Sequence, residues 1–425
     1  MAKQHGTKLD RNLRWNNING VFSTLSQNML MPFTGIFAIK LGATDAQIAA
    51  LSSWPALVSL FAMIPGARMV DRFPRKQKLV AGFMIMNRIF FLLLSLMPLI
   101  IRDESRRPLL FVAMIAIMNI PGAVANVAWQ SFIGNVIPGD RRAMAIATRN
   151  QLMGFCGVIA SLIAGKVMDN LNFPVGFQVM FFIGFVLALL EIAAFLRIEE
   201  TPAEQPARAP RQQAGLGAKL RHSWQVMKGY PGYWRFAAAS LTFYFGWMMG
   251  GPLFTKYQVQ ELHTTSTWVS IISVCSTIGS VLVYPIWARL SERYGNKRLL
   301  IFSTMGMAFT PVFYAISTQP WMLAALSVVV GFATAGTLLM LFNGLLEVSP
   351  EQDRTQYIAY HNTATGVVSV LSPYVAIAMV AAGGIRMALL GAAFFRGLGA
   401  LAFMAVYLIE RKQARARRTA RVVGE

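Results

Sequence analysis

The chain alternates long apolar runs with short polar turns, and this alternation limits its folds more than any motif. A helix that crosses a bilayer needs about 20 consecutive apolar residues. Twelve segments reach that length, numbered here as spans 1 to 12: 18–40, 46–67, 79–101, 109–134, 143–166, 174–196, 235–255, 267–288, 298–317, 321–346, 357–381 and 387–409. Hydrophobic residues make up 55% of the chain and charged residues 13%, about half the charged share of a soluble domain. The predicted fold class is an all-α polytopic membrane protein with twelve transmembrane helices. The two cysteines, Cys156 and Cys275, lie inside apolar runs. They have neither metal-ligand spacing nor a disulfide pattern, so no metal and no cofactor are expected. The polar N-terminal stretch and the lack of a small-residue cleavage site read against a signal peptide.

The formal net charge is +21. In a water-soluble chain that would suggest nucleic acid. Here the cations gather in the turns, where Lys and Arg hold loops in the cytoplasm. An even number of spans puts both termini on one side. Placing them in the cytoplasm assigns thirty of the thirty-nine Lys and Arg to inside segments and seven to the outside. The reading is a multi-pass protein of a cytoplasmic (inner) membrane, with the lipid bilayer around it and no nucleic-acid partner.

The chain also repeats itself. "GARMVDRFPRKQ" at 66 returns as "WARLSERYGNKR" at 287, pairing Asp71 with Glu292, Arg72 with Arg293 and Lys76 with Lys297. "VIPGDRRAMAIATRNQLMG" at 136 returns as "VSPEQDRTQYIAYHNTATG" at 348, pairing Arg142 with Arg354 and Asn150 with Asn362. Pro32 and Pro252 match as well. Internal repetition of this kind marks a duplicated unit. The organisation predicted is a tail over 1–17, a six-helix bundle over 18–196, a linker over 197–234 with a short amphipathic helix near 216–228, a second pseudo-symmetric six-helix bundle over 235–409, and a basic tail over 410–425.

Cations flanking a turn fix its side of the membrane. The carboxylates among them need another reason. Asp71, ending span 2, and Glu292, ending span 8, are candidates to face the positive N-terminal ends of spans 11 and 5. Arg142 and Arg354 begin spans 5 and 11, where a cation opposes the helix dipole, so they are expected to pair with Asp140 and Asp353. In span 4, Asn119, Ala123, Asn126 and Gln130 share one face at 100° per residue, with Trp129 flanking it. Amides in a membrane helix require partners or water, so the stripe either lines a cavity or binds a neighbouring helix.

Two parallel six-helix halves, a central linker and a charged turn after spans 2 and 8 resemble the major facilitator superfamily of transporters. Asp71, Arg72 and Lys76 match the family's signature turn, with Ala67 and Pro74 in place of its glycines. Glu292, Arg293, Gly295, Lys297 and Arg298 match in the second copy. Met118 stands where drug–proton antiporters often carry an Arg, and span 5 has no Gly-Pro pair. The resemblance implies that Asp71, Arg72, Lys76, Arg142, Glu292, Arg293 and Arg354 form a latch between halves. It also implies that spans 1, 4, 7 and 10 line a central cavity. The candidates there are Gln27, Asn28, Asn119, Asn126, Trp129, Gln130, Tyr244, Trp247, Met248, Thr334 and Thr337, joined by Asn362 of span 11. Arg149 and His361, at equivalent positions, are candidate anion ligands or snorkelling side chains.

Arg88, Glu191 and Arg396 are the candidate intramembrane charges, away from the span ends. Arg88 and Glu191 are candidate partners, and no carboxylate partner is evident for Arg396. No nucleophile–base pair or phosphate-cradling loop argues for an enzyme. The function expected is a secondary transporter working by alternating access on a small-molecule substrate. The reading leans to efflux of a neutral or amphipathic compound by a monomer, with a proton as the candidate coupling ion. An uptake carrier for a sugar-like metabolite and a non-transporting scaffold or sensor are the alternatives.

Overall fold

The computed structural model describes residues 2–72, 76–200, 230–350 and 354–423, with the backbone alone for some helical residues, Asp71, Arg72, Arg142 and Arg354 among them. Helices cover every predicted span. They run over Ala2–Asn28 and Thr34–Lys40 (span 1), Asp45–Arg72 (2), Lys76–Ile100 (3), Arg107–Val136 (4), Gly139–Asn170 (5) and Val175–Leu196 (6). The second half follows with Pro231–Met248 and Gly250–Lys256 (7), Ser266–Tyr294 (8), Asn296–Ala308 and Thr310–Ile316 (9) and Pro320–Val348 (10). Spans 11 and 12 share Arg354–Val423, interrupted by non-helical backbone at Gly383 and Gly384. The described residues contain no strand.

The interruptions have local causes. Proline carries no N–H, so it leaves the carbonyl four residues earlier unpaired. Pro32, Pro252 and Pro311 accompany the breaks in spans 1, 7 and 9. Gly384 and Gly295 adopt φ of +81° and +83°, which only glycine enters without steric cost. Gly295 is the signature-turn glycine of the second copy, and it lets span 8 turn directly into span 9. Among the described residues nine helical stretches are long and apolar enough to cross a membrane unaided. Spans 1 and 7 are broken, and spans 11 and 12 count as one.

The helical boundaries exceed the predicted ones. The expected tail over 1–17 is helical from Ala2, and the basic tail continues the last helix to Val423. The reason at the N-terminus is a polar stripe, Asn12, Asn16, Asn19, Ser23 and Ser26, all buried. Its spacing of four, three, four and three residues follows one helix face. Asn12 Nδ2, Asn19 Nδ2 and Ser26 Oγ donate to the carbonyls of Glu199, Glu191 and Gly184 at 3.0, 3.0 and 2.7 Å, binding span 1 to span 6. The linker's final residues, from Pro231, already belong to span 7; its core and the helix expected at 216–228 lie outside the described residues.

The chain forms two compact units: Met1–Glu204 with Phe254–Thr277 and Thr318–Ala324, and Gln205–Leu253 with Ile278–Ser317 and Ala325–Glu425. The first unit's core centres on Phe37, whose ring lies 5.0, 4.9 and 5.3 Å from those of Phe111, Phe177 and Phe181; Val259 and Val269 pack against this cluster. The second unit's core holds Tyr233, Phe236, Phe243, Trp287, Tyr357 and Phe403. Each unit uses a carboxylate beyond its last span to hold the start of its third. Glu200 accepts the Lys76 and Gln77 backbone N–H groups at 3.2 and 3.4 Å. Glu410 accepts Lys297 Nζ at 2.7 Å.

Candidate functional site

A polar network runs through the first unit. Arg88 donates through Nε and Nη2 to the two oxygens of Glu191, at 3.1 and 3.2 Å, with both side chains buried. Two in-line hydrogen bonds between charged groups are the strong form of this pairing. The carbonyl of Glu191 accepts Asn19 Nδ2, which turns Asn19 Oδ1 toward Arg149 Nη2 at 3.3 Å. Arg149 Nε donates to the Asn16 carbonyl at 3.3 Å, and its guanidinium stacks on Trp129, 4.6 Å from the ring centroid. Arg149 thus crosses to span 1. A Cβ at Gly20 would lie 2.8 Å from Arg149 Cγ and Nε, so the absent side chain of Gly20 makes that crossing possible.

The span 4 stripe divides. Asn119 bonds back to the Ile115 carbonyl at 2.7 Å. Asn126 and Gln130 are exposed and hydrogen-bonded to each other at 3.4 Å. The helix–helix amide on this face is Asn87, which donates to the Met118 carbonyl at 2.6 Å and occupies the space above Gly122. In span 1, Gln27 and Asn28 are half-buried and turned to Ser23 and Thr24 of their own helix.

The first unit also ties together residues from both halves of the sequence. Asp45, opening span 2, pairs with Lys256 at 2.5 Å. Asp169, closing span 5, accepts the N–H groups of Ser266 and Thr267 at 2.8 and 2.7 Å and so caps span 8. One turn on, Ser270 Oγ donates to the Ser161 carbonyl at 2.8 Å. Gly165 lies against Ser266 and Ser270 with no room for a Cβ. The sequence reading missed all of these contacts.

In the second unit, Tyr244 and Trp247 are half-buried with rings stacked 5.5 Å apart and 3° from parallel. Met248, also half-buried, follows them, and Asn362 is exposed. His361 is buried, with Nε2 2.9 Å from Ser240 Oγ and its ring near Phe236 and Tyr244. The sequence offsets that pair Arg149 with His361 also pair Gly20 with Ser240. The same two positions thus touch in both halves, Arg149 on Gly20 and His361 on Ser240. Thr334 bonds to the Val330 carbonyl. Thr337, expected to line the cavity, has no exposed surface. Its neighbour Gly336 lets the Trp287 ring pack directly on span 10, which turns that stretch inward.

Arg396 is fully buried and reaches three backbone carbonyls: Gly246 through Nε at 3.1 Å, Met307 through Nη1 at 3.1 Å and Trp247 through Nη2 at 3.3 Å. Of the expected latch residues, the side chains of Asp71, Arg72, Arg142 and Arg354 lie outside the described residues. Lys76 Nζ is engaged inside its own unit, donating to Ser131 Oγ at 2.7 Å. Glu292 and Arg293 are exposed, with Arg293 over the Tyr294 ring.

Helices too apolar for water, broken at prolines, and internal charges paired or bonded to carbonyls define a polytopic membrane protein. The family model described as Major Facilitator Superfamily matches residues 17–260 and 236–423, and the chain belongs to that superfamily. It is therefore a transporter and not an enzyme. The chain is 33% identical over 122 residues to the class H tetracycline resistance protein of Pasteurella multocida, a match spanning 29% of this chain and 30% of that protein. It is 22% identical over 376 residues to the multidrug resistance protein MdtG of Serratia proteamaculans, covering 84% of each. Among solved structures, the nucleoside transporter NupG superposes with a TM-score of 0.70 at 15% identity, over 93% of this chain and 99% of that one. A bacterial homologue of the human lysosomal transporter Spinster, inward-facing and unoccupied, gives 0.68 at 14% identity, over 94% and 97%. These likenesses show the fold.

Proposed function

We propose that the protein exports a neutral or amphipathic organic compound across a bacterial cytoplasmic membrane by alternating access. It does so as two six-helix halves, 18–196 and 235–409, with both termini in the cytoplasm. The observation that carries the direction is the MdtG match, which spans 84% of both chains; a full-length relative named for drug resistance favours efflux over uptake. The faces proposed to meet the solute agree in chemistry. Asn126 and Gln130 present amides, and Tyr244 and Trp247 present stacked rings. In this reading the contacts of Asp45 and Asp169 lie on the outer side and break when the carrier opens outward.

The test uses everted membrane vesicles from cells making the protein. Energised vesicles should accumulate tetracycline or ethidium above vesicles without it, and a protonophore should abolish the difference if a proton is the coupling ion. Accumulation in right-side-out vesicles instead would reverse the direction. Transport of neither compound in either orientation would remove the drug-efflux reading.

A further inference from the structure

We infer that Arg149 and Trp129 form a receiving site in the first half for an anionic group, a carboxylate or similar oxyanion, carried by the transported amphipath. The first observation is a charge left over. The network holds three formal charges, and Arg88 takes both oxygens of Glu191. Arg149 has only neutral acceptors, the Asn16 carbonyl and Asn19 Oδ1, and among the described residues no carboxylate lies within ion-pair distance of it. A guanidinium stays protonated; Arg149 is half-buried, and the nearest carboxylate that acts on it, Glu191, is already taken up by Arg88, so its charge is only partly compensated. Stacking on Trp129 adds to that compensation without cancelling the charge.

The second observation is a pair of idle donors. Arg149 Nη1 meets no acceptor among the described residues. The indole Nε1 of Trp129, beneath the guanidinium, is buried with no hydrogen-bond partner, and an indole N–H can only donate. An unused guanidinium N–H stacked over a ring with an unused indole N–H suits an oxyanion. The third observation is position: Trp129 and Arg149 are half-buried, beside the exposed Asn126 and Gln130. The equivalent position in the second half carries His361, bonded to Ser240 through Nε2 and unpartnered at Nδ1; an imidazole lacks the permanent charge of a guanidinium. The anion site is therefore one-sided, and the rest of the solute is left to apolar and aromatic contacts.

This deepens the transport reading by naming a substrate class, and its test is an equilibrium measurement independent of pumping. Purified full-length protein in detergent is titrated with 1-naphthoate and with its neutral isostere 1-naphthamide, following tryptophan fluorescence and melting temperature. Naphthoate should bind about tenfold tighter or more. Arg149→Gln should erase the preference and Arg149→Lys retain part of it. Trp129→Phe keeps the stacking face but loses the N–H; it should weaken naphthoate alone, which tests the site even if Arg149→Gln does not fold. Equal affinity for the two compounds, no response to either, or a preference that survives Arg149→Gln overturns the proposal. Sulfate raising the melting temperature as much as naphthoate would assign the site to inorganic anions and overturn it too. A naphthoate preference in a protein that pumps nothing would sink the export reading and leave this one standing.

Discussion

Arg396 donates to the carbonyl of Met307, whose regular helical partner four residues later is Pro311, which has no N–H to give. The same guanidinium reaches Gly246 and Trp247, just before the break in span 7. A cation at the carbonyl ends of two interrupted helices meets their negative dipole ends and satisfies oxygens that lipid cannot. Arg396→Leu should therefore destabilise the protein by roughly 3 kcal/mol or more, since each unsatisfied carbonyl costs about 1–3 kcal/mol. Arg396→Lys, which cannot fork to three acceptors, should fall between. Thermal unfolding in detergent measures both; a leucine variant that melts with the wild type would refute the pinning role.

Arg88 and Glu191 should behave as a unit. Removing either partner leaves a buried charge and should cost about 3–5 kcal/mol. Changing both to Met together should cost far less than the sum. A double-mutant cycle on unfolding free energies supplies the number, and additive effects would mean that the pair is not coupled.

The cap on span 8 should hold one conformation. Asp169→Asn removes the charge and one acceptor oxygen, worth about 1 kcal/mol. It should raise labelling of a cysteine at Ser266, a buried position whose hydroxyl has no hydrogen bond to lose, in a background lacking Cys156 and Cys275. Asp71→Asn, at the opposite end of the spans, should lower that labelling. Identical rates in all three backgrounds would argue against both residues as latches.

The solute-facing positions divide by chemistry. Trp247→Ala should lower drug transport about tenfold, the value of one desolvated aromatic contact, with expression unchanged. Asn126→Ala combined with Gln130→Ala should shift which solutes are moved, because among the described residues these exposed amides brace no other helix. Thr337→Val should leave transport unchanged. Strong loss there, without loss of protein, would reopen Thr337 as a cavity residue.

The spans, their order and the duplication were legible because hydropathy and repetition are written along the chain. The Arg149–Gly20 and His361–Ser240 contacts were half legible: the offsets pair the positions but do not reveal that they touch. The helix that carries span 1 starts at Ala2, ahead of the predicted span, a start not read because its asparagines look like an exposed tail. The stripe at 12, 16, 19, 23 and 26 was the signal, overlooked because polar residues at helix spacing ordinarily mark a solvent face. Arg396 found no partner in the sequence because its partners are backbone carbonyls, which no side-chain inventory contains. The short contacts of Asp45 and Asp169 join segments far apart in sequence, and nothing local foretells them.

The buried polar face of the first helix also bears on how the protein is made. That helix is absent from the stretches apolar enough to settle in lipid alone. Its acceptors, the carbonyls of Gly184, Glu191 and Glu199, lie 158, 172 and 187 residues downstream. A ribosome must deliver the sixth span before the first can satisfy its asparagines. The first span of this half can thus complete its docking only after the sixth has been made.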